Sequence, residues 1–207
     1  MKHKDILSLK RGLYISANFF TKNKSDISYS FYLANILRTP SYVSSWAALQ
    51  YYNLTTEAIH SITSITPKVT RDYETKAGTF SYQSIKKEFF SDYSLAKGKF
   101  DFFIAAPSKA LFDLLYFRTR QFRGVRFEEI KKMVEELRID IDEISEEEQK
   151  KFYEKVKKYL HNRDGTKTDK PRPVVFCHSR LQHGLAHGKQ DCCNFLARNT
   201  WCRRGSV

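Results

Sequence analysis

The groups best able to do chemistry in this 207-residue chain fall into three sets. One is a cluster of thiols and imidazoles near the C-terminus: Cys177, His178, His183, His187, Cys192 and Cys193. His183 and His187 are four apart, which a helix would set on one face. The cysteine pair that a zinc finger places ahead of such a histidine pair is missing, so no metal site is expected. The second set is Lys109 and Asp113, an i,i+4 pair flanked by leucines, with Asp101 nearby in sequence. That spacing predicts a structural ion pair fixing a helix to a sheet, with partner binding as the alternative. The third set is cationic: Lys10, Arg11, Arg71, Lys86, Lys87, Arg118, Arg120, Arg123 and Arg126. Such groups could neutralise phosphates through charge-assisted contacts. Singly, each reads first as a solvated surface charge.

Signatures of other chemistry do not occur. Gly12, Gly78, Gly98 and Gly124 are isolated, so there is neither a phosphate-binding loop nor a dinucleotide fingerprint. No Gly-x-Ser-x-Gly elbow and no His-Glu-x-x-His helix is present. The expectation is a non-enzymatic protein without a cofactor.

Charge narrows the class of partner. Lys and Arg number 36 against 23 Asp and Glu, a formal net of +13. Residues 1–127 carry 19 of the basic and 9 of the acidic groups, so the excess sits mainly on the body of the chain, where nucleic acid is a natural partner. Aromatic residues make up 14%, which excludes a wholly disordered chain. No apolar run approaches the roughly 18 residues of a membrane span. Met1 to Asp5 lacks the apolar run of a signal peptide, so the expected location is cytoplasmic, with no membrane partner. All four cysteines (Cys177, Cys192, Cys193, Cys202) lie in the last 31 residues, which sets that tail apart from the body.

The elements that must position these groups are readable from periodicity. Ser8 to Ile15 reads as a short strand interrupted by Gly12, and residues 21–28 as a polar loop. Tyr29 to Leu37 has one apolar helical face. Pro40 breaks the chain, and Ser41 is the expected N-cap of a second helix over Tyr42–Tyr52. Ser61–Thr66, Val69–Thr75 and Thr79–Ile85 read as a meander of antiparallel strands, with another strand over Lys99–Ala105. Pro107 suits the first turn of a helix running Ser108–Phe117. Helices are also expected over Phe127–Leu137 and Ser145–Leu160, the latter opened by a Ser145/Glu148 capping box. The run of glutamates and lysines from Glu146 to Lys158 reads as a salt-bridged helix face. Together these make an α+β domain with a small antiparallel sheet packed against helices. After Arg163 the periodicity ends, and residues 164–207 are expected to be a disordered or non-native tail.

Five segments in this order resemble the AbiEi family of antitoxins from bacterial abortive-infection systems. They are Lys10-Arg11-Gly12-Leu13-Tyr14, Pro40 to Ser44 with Ala48 to Tyr52, Ile62 to Thr66, Gly78 to Tyr82, and Ala106 to Tyr116. The resemblance spans about residues 8–160. It implies a winged-helix DNA-binding part followed by an α+β antitoxin domain. The first part would repress the operon, and the second would counter a nucleotidyltransferase-like toxin encoded alongside, with no stable complex expected. On this reading residues 1–20 would be the remnant wing of a winged helix, with Lys10, Arg11 and Tyr14 at the DNA. Residues 21–163 would be the antitoxin domain; Gly12 in the wing, and Ser41, Tyr42, Lys109 and Asp113 in this domain, would be structural motif positions. Operator DNA is then a possible partner, weakened by the absence of the recognition helix that should precede the wing. The alternative function is a basic nucleic-acid-binding regulator without antidote activity.

Overall fold

Glycine at position 12 turns what reads as one interrupted strand into a hairpin. The computed structural model describes residues 6–56, 60–137 and 139–165. In it β1 (Ile6–Lys10) pairs antiparallel with β2 (Leu13–Ser16). Gly12, in the turn between them, has φ +80°, a conformation that strains any residue carrying a Cβ. The Ser16 hydroxyl accepts the Phe19 N–H at 3.4 Å and so caps α1 (Ala17–Asn23). The expected loop over residues 21–28 is thereby shortened to 24–26, since α1 takes its start and the next helix its end. The few apolar side chains of α1, Phe19 and Phe20, pack against Tyr29 with ring centroids 5.6 and 6.4 Å away. A sparse apolar face of this kind gives little periodicity to read.

Helix α2 (Ile27–Leu37) starts at Asp26, whose carboxylate accepts the Ser28 N–H at 3.0 Å. Its buried face carries Tyr29, Phe31, Leu33, Ala34 and Leu37. The hairpin joins the same core, because Leu9 is buried and the Lys10 ammonium donates to the Leu37 carbonyl at the end of α2.

The expected helix over Tyr42–Tyr52 is two elements. Tyr42–Val43 forms the short strand β3, and only Ser45–Tyr51 is helical (α3). Ser41 is therefore not an N-cap; it is buried, and its hydroxyl finds no partner among the described residues. Ser44 holds the N-cap position instead.

The main sheet has six strands in the order β5-β6-β4-β3-β8-β7. These are β4 (Ser61–Thr66), β5 (Arg71–Thr75), β6 (Gly78–Ser84), β7 (Tyr93–Ala96) and β8 (Phe102–Ala105), with β3 inside. The fold is α+β, as the alternation of patterns implies, but the sheet is mixed and not an antiparallel meander. β6 inserts between β5 and β4, antiparallel to the first and parallel to the second. β3 is likewise antiparallel to β4 and parallel to β8. Period-two alternation reports which face a side chain takes, and says nothing about strand direction. On β6 the alternation is clean: Phe80 and Tyr82 are buried between half-buried Thr79, Ser81 and Gln83. The Tyr82 hydroxyl donates to the Ala34 carbonyl at 2.6 Å, tying the sheet to α2.

Helix α4 (Pro107–Arg118) leaves β8 directly, with Pro107 in its first turn where no N–H is needed. Nine consecutive residues from Ser108 to Tyr116 are buried, because α4 is surrounded by β8, α3 and α6. Helices α5 (Phe127–Glu136) and α6 (Glu146–Gly165) complete the layer. α5 buries Ile130 and Val134, and α6 buries Phe152, Val156 and Leu160 at helical spacing. No helix among the described residues is long and apolar enough to cross a membrane. α6 runs through Asp164 and Gly165, two residues into the expected tail; the rest of that tail, with the candidate ligands from Cys177 to Cys193, falls outside the described residues.

Candidate functional site

Inside α4, Lys109 and Asp113 face the sheet at 1% and 0% exposure, with Nζ and Oδ1 2.5 Å apart. Two side chains from the β3–α3 corner complete the group. The Tyr42 hydroxyl donates to Asp113 Oδ2 at 3.1 Å and the Ser44 hydroxyl donates to the same oxygen at 2.8 Å. Ser44 makes no side-chain cap to α3, its hydroxyl being directed at Asp113. Lys109 also lies over the rings of Phe112 and Tyr42, 5.1 and 5.8 Å from their centroids. Burial pushes the Asp113 carboxyl up and the Lys109 ammonium down; their mutual attraction opposes both shifts, and the Ser44 and Tyr42 hydroxyls oppose that of Asp113. Burial and the neighbouring Asp113 charge push the Tyr42 phenol far up, so it stays a donor. The group is a closed polar knot in an apolar core. It pins α4 to β3 from residues about seventy positions apart in the chain.

Lys109 also forms the floor of a cleft of about 1010 Å³ between α4, α6 and the segment around Asp92. On the α6 wall Lys155 reaches out of its helix to Asp92, 2.8 Å away. This corrects part of the expectation of a purely intrahelical salt-bridged face: Lys151 does pair with Glu147 and Glu148, at 2.8 and 3.1 Å, but Lys155 does not. Burial raises the Asp92 carboxyl, but hydrogen bonds from Lys155 and Ser91 outweigh that and hold it below the usual carboxylate range.

Glu148 is likewise not the second half of a capping box. The Ser145 hydroxyl accepts the Glu148 N–H at 3.4 Å, as the motif requires. The Glu148 carboxylate instead accepts the Ser108 N–H at 3.2 Å, so α6 supplies the anionic cap of α4. Burial works against this carboxylate, yet the bonds from Ser108 and Lys151 leave it below its ordinary range.

A second region lies at the far end of α4. Arg120, Gln121 and Phe122 all have positive φ (50°, 67° and 52°), a left-handed turn built from three residues that pay about 1–2 kcal/mol each for it. Phe122 holds the turn in place. Its ring is fully buried and packs against Phe112, Tyr116 and Tyr159 at 5.5, 5.9 and 5.5 Å. The consequence is that Arg118, Arg120 and Arg123 are thrown outward, exposed and with no ion pair among the described residues. Arg126, though exposed, pairs with Glu129 at 3.2 Å to open α5.

The other cationic candidates are scattered. Arg11 and Tyr14 are exposed on the hairpin, Tyr14 at 58%, whereas Lys10 is committed to Leu37. Arg71 is exposed on the edge strand β5, its guanidinium 5.8 Å from the Tyr73 ring. Lys86 and Lys87 are exposed at the 3-10 turn Lys87–Phe89, with Lys86 3.8 Å from Glu88. The structure thus brings Lys86 to the cleft and groups three arginines on one turn, and it leaves Arg11 and Arg71 apart from both. Ser44, Asp92, Lys155 and Tyr159 escaped the reading by spacing, since their partners lie far away in sequence.

No group of three His, Cys, Asp or Glu among the described residues is placed to hold a metal ion. In comparisons with known proteins, no family model, no curated protein and no solved structure matches this chain.

Proposed function

We propose that this chain is an antitoxin of the AbiEi type, a non-enzymatic cytoplasmic protein that opposes a nucleotidyltransferase-like toxin encoded beside it. It belongs on this reading to a type IV toxin–antitoxin system for phage defence, acting without a stable complex with the toxin. The observation that carries the reading is the polar knot. Two of the segments on which the resemblance rests, Pro40 to Ser44 and Ala106 to Tyr116, meet through Tyr42, Ser44, Lys109 and Asp113. Residues so far apart in the chain are thereby one structural unit, so the two segments that carry the resemblance belong to one piece of the fold. Co-expression with the product of the neighbouring reading frame tests it: restored growth is expected, and continued growth arrest rejects it.

A second reading is favoured by Arg118, Arg120 and Arg123, exposed and without an ion pair among the described residues, which suit a phosphate backbone. The protein would then act as a nucleic-acid-binding regulator, with operator DNA as one target. Its affinity would fall steeply with salt, log K against log[salt] having a slope of about −0.9 per duplex phosphate contacted. A flat salt response excludes that role.

A further inference from the structure

We infer that the cleft above Lys109 is a binding site for a nucleoside phosphate, either free or at the end of a single-stranded nucleic acid. The cleft's volume, about 1010 Å³, is of the size that small ligands occupy. Five lysines and four carboxylates line it, close to neutrality in sum, but they are not equally engaged. Asp92 holds Lys155, and Glu148 holds the Ser108 N–H together with Lys151. Lys158 has no ion pair among the described residues, and Lys86 is joined to Glu88 only by an exposed 3.8 Å contact that is worth little. At the floor Lys109 is 1% exposed and stays committed to Asp113. Lys86 and Lys158 can meet a phosphate while Asp92 and Glu148 keep their partners.

The cleft also offers a surface for a base. Phe89 and Tyr159 line it, both half-buried, with centroids 5.1 Å apart and planes tilted by 55°. Aromatic faces of this kind stack any base, whereas a bare phosphate makes no use of them. Tyr159 in turn contacts the arginine turn, its hydroxyl donating to the Gln121 carbonyl at 3.4 Å and its ring packing on Phe122. A chain extending from the cleft would therefore run toward Arg120 and Arg123. Basic segments remote in sequence, at residues 86 and 155–158, line the cleft, and the arginine turn joins the same aromatic cluster through Phe122.

Calorimetric titration of the full chain tests the site with four probes: ATP, tripolyphosphate, adenosine and a short 5′-phosphorylated single-stranded RNA. The nucleotide is expected to bind more tightly than either tripolyphosphate or adenosine. A variant carrying both Lys158→Glu and Lys86→Glu, each on exposed side chains, should lose about tenfold or more in affinity while keeping its circular dichroism spectrum. Tyr159→Leu should bring the nucleotide down to the affinity of tripolyphosphate. If only the RNA binds, and the same double variant abolishes it, the ligand is a chain end. Binding that the double variant leaves unchanged, or no binding of nucleotide and RNA alike at millimolar concentration, overturns the assignment.

Discussion

The two ends of α4 treat charge in opposite ways. Near its N-terminus Lys109 and Asp113 are sealed in the core, and every oxygen of the carboxylate has a donor. At its C-terminus Arg118, Arg120 and Arg123 stand exposed with no carboxylate partner among the described residues. Removing ions from water costs several kcal/mol each, so the first group persists only because its geometry is complete. The second group is free to meet anions from outside. The comparison teaches that buried and available charge are kept apart: Lys109 and Asp113 fasten α4 to the sheet, and the turn leaves its cations open to solvent.

Breaking the closed end should have the largest effect. Asp113→Ala strands a buried ammonium, and chemical denaturation is expected to show a loss of about 3–5 kcal/mol. Replacing both members, Lys109→Met with Asp113→Leu, should recover only part of that, since it removes the desolvation cost of the ion pair but leaves the buried Tyr42 and Ser44 hydroxyls without their acceptor. Adding Tyr42→Phe and Ser44→Ala to the double variant should recover more, and no gain from them would contradict this account of the knot. Phe122→Ala should cost about 3–5 kcal/mol by emptying the aromatic pocket, and it should also release the left-handed turn. Glu148→Gln comes next, at about 0.5–1 kcal/mol for the lost charge at the start of α4. Its folded pKa is depressed, so its contribution is present above the unfolded value of about 4.3 and disappears as pH falls through the lower folded value. The acid limb of stability against pH should accordingly be shallower in Glu148→Gln than in the parent chain. The joint change of Arg118, Arg120 and Arg123 to Ala should alter stability least, by no more than about 0.5 kcal/mol. If the turn contacts nucleic acid, the same change should flatten the salt slope of binding by about 0.7 per lost contact on single strands.

Much of the helical framework is legible in the chain. α2, α4, α5 and α6 announce themselves by a 3.6-residue apolar period, aided by Pro107 and Ser145. β3 does not, because Tyr42-Val43 runs into Ser44-Ser45-Trp46-Ala47 without any change of composition. What separates strand from helix there is backbone geometry: Ser44 is extended, with φ −152°, and Ser45 has φ 57°. The parallel pairing of β4 with β6 is a long-range choice that no local pattern encodes. The same limit applies to the candidate sites. Lys109 and Asp113 can be paired from their spacing alone, but Tyr42 and Ser44 reach them only through the sheet. Glu148 is misread for a related reason: its sequence neighbours fit a capping box, while the N-terminus of α4 offers its carboxylate an unpaired N–H.

Growth rescue tests the central claim most directly, with the parent chain and the triple arginine-to-alanine variant each co-expressed with the neighbouring gene's product. Rescue by both is predicted, because the antidote function is assigned to the α+β body and not to nucleic-acid contact at the turn. Growth arrest with both would contradict the antitoxin reading, and rescue by the parent alone would move the function to the arginine turn.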